Sequence, residues 1–223
     1  MEFGYVLLAC LLTAAESYLL GSVLFGVVIS KVFFHDDVRM HGSGNGGMTN
    51  VLRTYGKLPA VFTTVGDVGK SFVAVWLGRV LFAWLVGKTA LPLDPVCGAY
   101  LAGIFCMVGH SRPLFFGFRG GKGVLVGAGA ALFTAPPVCL VLLAVFLVEV
   151  AITRIVSLGS ILIAALYPVG TLCYWVWRGA GWQTLAFITV CSLIMGISVI
   201  WLHRANIARL RAGTEYRFGE KKK

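Results

Sequence analysis

The sequence predicts an all-α polytopic membrane protein with about seven transmembrane helices, some of them short, and with Gly-rich loops gathered on the cytoplasmic face. Three observations carry that prediction. Of 223 residues, 58% are hydrophobic and only 13% are charged, and the mean hydropathy is +0.87; soluble domains run near about 25% charged. Seven apolar runs approach the ~20 residues that cross a bilayer as a helix. The basic residues between those runs alternate between rich and poor segments, as the positive-inside bias requires.

The first run, 3–32, starts without a basic region and carries no small-residue cleavage site, so it is expected to be a span rather than a signal peptide. The second, 58–87, contains Asp67 and Lys70, an i,i+3 pair on one helix face that must neutralise itself or line a polar cavity. The third covers 95–111. The fourth and fifth, 124–135 and 137–152, meet at Pro136-Pro137. Proline removes a backbone donor, so these two form either one kinked helix or two short ones. The sixth and seventh cover 157–177 and 183–202.

Charge decides the count. With seven spans and the N-terminus outside, fifteen of the nineteen Lys and Arg fall inside, leaving Lys88, Arg178 and, toward the outer end of its run, Arg79 on the outer side and Lys70 within a span. Six spans would put the seven basic residues after Leu202 outside. The expected organisation is one domain over 1–223, membrane-spanning through 203, with a basic cytoplasmic tail over 204–223. All four histidines (His35, His41, His110, His203) and every Gly-rich loop then share the cytoplasmic side. A net charge of +10 placed between spans fits anionic phospholipid headgroups and phosphorylated substrates rather than nucleic acid. The six cysteines lie in or beside apolar runs at no metal-ligand spacing, so neither metal nor cofactor is expected.

Two loops have the composition of anion sites. Asp37 to Lys57 reads DVRMHGSGNGGMTNVLRTYGK. Its glycines Gly42, Gly44, Gly46 and Gly47 let successive backbone N–H groups converge, as in phosphate-binding nests. Ser43, Asn45, Thr49 and Asn50 add neutral donors, and Arg53 adds a planar fork that Lys cannot mimic. The loop also contains GxGxxG, but a membrane span precedes it where a dinucleotide fingerprint needs a strand. Thr64 to Ser71, TVGDVGKS, ends like a phosphate-binding Walker loop, yet lacks the first glycine and lies inside an apolar run. The second loop, Gly109 to Val124, ends in Gly120-Gly121-Lys122-Gly123 immediately before a span, where a helix N-terminus and one cation make a second anion site. The seventh span runs into WLHRANIARLRAGTEY, with His203 and Asn206 i,i+3 on one face as the helix leaves the membrane.

Taken together, DVRMHGSGNGGMTNVLR, GDVGK, GHSRP, GGKGV, TRIVSLGSI and HRANIARLRAGTE occur in the order found in the PlsY family, which the chain resembles from about Leu20 to Glu215. That resemblance implies a bacterial inner-membrane acyl-phosphate:glycerol-3-phosphate acyltransferase that makes 1-acyl-glycerol 3-phosphate (lysophosphatidic acid). It assigns Ser43 and Arg53 to the first motif's essential pair, and Lys122 with Gly120, Gly121 and Gly123 to the glycerol 3-phosphate loop. His203 and Asn206 become activity residues and Glu215 a structural acid. No HxxxxD motif is present for the other common acyltransferase chemistry. The chain departs from the family pattern at Met48, Ser71, Arg112, Leu125 and Val126. The residues leave the base open between His203 and a departing phosphate oxygen. Polar loops and an intramembrane charge pair would also suit a transporter of a phosphorylated solute.

Overall fold

The computed structural model describes residues 2–217 and 219, so Lys221 to Lys223 of the basic tail lie outside the described residues. Ten α-helices and no strand occur among the described residues. They fall into two compact units, Met1–Thr134 and Ala135–Lys223.

In the first unit, α1 (Glu2–Gly21), α2 (Phe25–Phe34), α3 (Met48–Tyr55), α4 (Lys57–Leu85), α5 (Val96–Ser111) and α6 (Val124–Thr134) are arranged around α4, which packs against each of the others. Helices α1 and α5 meet nearly backbone to backbone, because Gly21 and Gly109 leave no side chain between them. Asp67 and Lys70 lie one turn apart in α4, both buried, with Lys70 Nζ 2.9 Å from Asp67 Oδ1.

The first apolar run, expected as a span over 3–32, lies in one membrane-crossing segment, Glu2–Phe34, but is not one continuous helix. It breaks at Ser22 to Leu24. The Ser22 hydroxyl donates back to Tyr18 O at 2.8 Å, in competition with the main-chain ladder. Lys70 Nζ donates to Gly21 O and Val23 O, the carbonyls that a continuing helix would have used. A Gly-Ser pair is a known site of helix kinks; here a buried cation from another helix completes the break.

The second unit contains α7 (Pro136–Thr153), α8 (Val156–Trp177), α9 (Trp182–Leu202) and α10 (Arg204–Arg211), with α8 packed against α7 and α9. Of the two alternatives at Pro136-Pro137, the chain takes two helices. Ala135 leaves helical geometry (φ −149°, ψ 71°), and the prolines occupy the first turn of α7, where a missing N–H removes no ladder bond.

Five segments are long and apolar enough to cross a membrane: Glu2–Phe34, Lys57–Lys88, Pro136–Thr153, Val156–Trp177 and Trp182–Leu202. The third and fourth runs also form helices, but α5 has 16 residues and α6 has 11. At 1.5 Å per residue α6 is about 17 Å long, roughly half the ~30 Å hydrocarbon core. Helix α7 has Val138 as its one buried residue and exposes Leu140, Val141, Leu143, Leu147, Val148 and Ile152. Such a face is unfavourable in water and ordinary against lipid.

Candidate active site

The first Gly-rich loop is organised from inside by one amide. Asn50, buried at the start of α3, donates from Nδ2 to Val38 O, His41 O and Asn45 O at 2.9 to 3.0 Å, and its Oδ1 accepts from Ser43 N at 3.0 Å. The amide therefore replaces the hydrogen bonds that a regular element would give this backbone. Its donors are committed to the loop. Gly42 must be glycine here on two counts, because φ is +57° and a Cβ would overlap Asn50 Oδ1.

Around that centre the loop leaves Ser43 and Gly44 exposed at its crest. Helix α3 begins at Gly47 with no side-chain cap, so its first amides present the partial positive charge that attracts an anion. Thr49 and the exposed Arg53 follow one turn apart on the same helix face. On the other flank, Tyr55 donates to Asp36 Oδ2 at 2.7 Å, and His41 Nε2 lies 2.6 Å from the same oxygen. The Tyr55 hydrogen bond holds Asp36 below the usual carboxylate range, while burial and the Asp36 contact push Tyr55 up to about 12.

The second loop is tied to the first by Arg39. Its Nε and Nη2 meet Asp37 Oδ1 and Oδ2 at 2.9 and 2.7 Å in a bidentate pair, and that contact with Arg39 holds Asp37 below its ordinary range. The remaining nitrogen, Nη1, donates to Phe116 O at 2.7 Å and Arg119 O at 2.8 Å. One guanidinium thus fixes the spacing of the two Gly-rich segments. Lys122, half-buried, follows Gly120 and Gly121, and Gly123 (φ +76°) turns the chain into α6.

In the second unit, His203 closes α9 and opens α10. Its ring is buried, and Nδ1 lies 2.8 Å from Val199 O. A carbonyl only accepts, so Nδ1 carries the proton, and a neutral ring then has its lone pair on Nε2. Glu215 is the hub beside it. Oε1 accepts from Ser157 Oγ at 2.9 Å and from Asn206 Nδ2 at 2.7 Å, and Oε2 accepts from Arg209 Nε at 2.7 Å. Burial alone would raise the Glu215 carboxyl, but these donors outweigh it and hold it below its usual range.

Residues 11–213 match the family model described as glycerol-3-phosphate acyltransferase. The chain belongs to that family. Among the glycerol-3-phosphate acyltransferases it resembles, that of Clostridioides difficile is 41% identical over 220 residues, covering 99% of this chain and 98% of its relative. That of Gloeobacter violaceus is 43% identical over 209 residues, covering 92% and 93%. Two crystal structures of PlsY, an integral membrane glycerol 3-phosphate acyltransferase, superpose on it. The glycerol 3-phosphate form has a TM-score of 0.77 at 32% identity, over 94% of this chain and 96% of that one. The lysophosphatidic acid form has a TM-score of 0.75 at 31% identity, over 94% and 95%. This acyltransferase-family chain is accordingly a multi-pass membrane protein.

Within that family frame, the first unit brings together Ser43 and Asn45 on one loop with Thr49, Asn50 and Arg53 on the helix α3 that follows it, and Gly120 to Gly123 on the next loop; the second unit brings together His203, Asn206 and Glu215. Three residues were not legible as parts of either arrangement: Arg39, counted only as an inside charge, Ser157, and His110. The glycines of the second loop also meet a packing demand from α5. A Cβ at Gly120 would overlap His110 O, and a Cβ at Gly121 would overlap the His110 ring, so packing on α5 by itself requires glycine at both positions.

Proposed function

We propose that this protein transfers a fatty acyl group from acyl phosphate to the 1-hydroxyl of glycerol 3-phosphate, giving 1-acyl-glycerol 3-phosphate and phosphate. The observation that carries this reading is the pair of Gly-rich, cation-bearing loops held in fixed register by Arg39. Two substrates that each carry a phosphate need two such sites, and membership of the glycerol-3-phosphate acyltransferase family supports the acceptor. The Ser43–Thr49 loop and Arg53 hold the acyl phosphate; Lys122 and its glycines hold the glycerol phosphate.

Acyl phosphate is a mixed anhydride with a good leaving group, so no covalent acyl-enzyme is needed. The glycerol oxygen attacks the acyl carbon, the bond from that carbon to the phosphate oxygen breaks, and inorganic phosphate departs. Catalysis comes from orientation and from donors aimed at the developing charge. The Nδ1–H tautomer of His203, fixed by Val199 O, supports a role for its Nε2 in taking the hydroxyl proton. Asn206, itself held by Glu215, steadies the same turn. In this reading the N-terminus lies outside a bacterial inner membrane, with both loops and the tail in the cytoplasm, as the distribution of basic residues supports.

Detergent-purified protein incubated with acyl phosphate and labelled glycerol 3-phosphate should release phosphate and form labelled lysophosphatidate. No product, or product at a comparable rate from acyl-CoA or acyl carrier protein, would overturn the donor assignment. A transporter would give no turnover without a second compartment.

A further inference from the structure

Lys70 lies within an apolar helix, 5% exposed, where a lone ammonium is strongly disfavoured. All three of its hydrogens have acceptors: Gly21 O at 3.1 Å, Val23 O at 2.6 Å and His110 Nδ1 at 3.0 Å. Asp67 Oδ1 lies 2.9 Å from the ammonium and neutralises it. Because His110 Nδ1 accepts from an ammonium, the ring proton is on Nε2, at the edge of the ring that lies against Gly121. The main chain of His110 grips the same place, since its carbonyl accepts from Gly121 N at 2.9 Å.

Each end of this cluster leads to a phosphate loop. Gly21 ends α1 and Val23 lies in the break before α2, and α2 leads through the short turn Val38–Met40 to the Ser43 loop. His110 supports Gly120 and Gly121, which carry Lys122. We propose that Asp67, Lys70 and His110 form a positioning device for acyl transfer, a buried charge cluster that sets the second Gly-rich loop against the helix break from which the first loop is launched. The proposal rests on the acyltransferase reading, and on the assignment of the second loop to glycerol 3-phosphate for the substrate whose KM responds.

The geometry makes a specific demand on Gly121. A ring tip on a free side chain would swing aside to admit a methyl group, but this ring is held at Nδ1 by a buried ammonium and cannot turn without abandoning it. His110→Asn offers a way to separate packing from charge. An asparagine oxygen occupies nearly the place of Nδ1, keeping the acceptor for Lys70, and removes the Nε2 edge over Gly121.

The test compares Gly121→Ala, His110→Asn and the double variant, purified in detergent, by kcat, by KM for each substrate and by thermal midpoint. Gly121→Ala in the parent should raise KM for glycerol 3-phosphate by about tenfold or more, and in the His110→Asn background by less than about threefold, a coupling that independent residues would not show. Equal penalties in both backgrounds, or a Gly121→Ala protein with parental kinetics, would overturn the proposal. If Gly121→Ala fails to fold, the double variant should restore folding, and its failure to do so would overturn it equally. Coupling seen in the KM of acyl phosphate instead would uphold the positioning role and reverse the assignment of the two loops.

Discussion

Arg39→Ala tests whether the two loops act as one site. The substitution removes two hydrogen bonds from a charged donor to Phe116 O and Arg119 O, and leaves Asp37 without its partner. Hydrogen bonds to charged groups contribute about 1.5–3 kcal/mol each. The Arg39 side chain is 17% exposed, so solvent screens it and the lower figure applies, about 2–3 kcal/mol for the pair. If the transition state requires both phosphates in register, that loss appears as a fall of about 30- to 160-fold in kcat/KM. Arg39→Lys should recover little, because one ammonium cannot satisfy a bidentate carboxylate and two carbonyls at once. Steady-state kinetics on folded, purified variants, with each substrate varied in turn, decides the matter. An Arg39→Ala enzyme with kcat/KM within about threefold of the parent for both substrates would refute the reasoning.

Arg53→Lys should be nearly as damaging as Arg53→Ala, at least about tenfold or ~1.4 kcal/mol, because the site needs a planar fork; a fully active Lys variant would reduce Arg53 to a lipid contact. Glu215 has a depressed pKa, so its contribution to stability is complete above the ordinary carboxylate range and is lost as pH falls through its lowered value. Glu215→Gln should lower the thermal midpoint at neutral pH and flatten the acid limb of its pH profile; parallel profiles for parent and variant would remove the carboxylate from that role. A cysteine placed at Lys222 in a cysteine-free variant should resist an impermeant thiol reagent in intact cells and react once the membrane is opened. Labelling from outside would invert the proposed topology of the tail.

The helices were legible because a membrane segment satisfies its own backbone, so its signature is written locally as a run of apolar residues. Six of the seven runs correspond to single helices with ends shifted by a few residues. The exception, the first run, is broken by Lys70 from another helix, and nothing within 3–32 announces a cation arriving there. The glycines and cations of both loops were legible for a similar reason, since their chemistry is carried by residue type and spacing. What Arg39 and His110 do was not legible, because their partners are backbone atoms. Arg39 donates to carbonyls about eighty positions away, and every residue has a carbonyl. Contacts of that kind leave no mark on the identity of the residue that accepts them. Asn50 shows the same limit from the other side: its type announced hydrogen bonding, but only the folded loop determines that its donors face inward.

That asymmetry gives a physical way to divide the cations of the first unit. Lys70 is buried and Arg39 half-buried, and the backbone carbonyls they hold are neutral acceptors that orient a cation without discharging it. Each is compensated by a carboxylate two or three residues away, Asp67 for Lys70 and Asp37 for Arg39. A cation neutralised in this way has little charge left to offer a substrate, and its contribution is geometric. Arg53 is exposed in the last turn of α3, and Lys122 is half-buried just before the start of α6. At Lys122 the macrodipole of α6 adds to the side-chain charge, and a phosphate gains from both. Substrate charge should therefore be read by Arg53 and Lys122, whereas Arg39 and Lys70 set where those two stand. Substitutions at the first pair should change which anions bind, and substitutions at the second should weaken every anion alike.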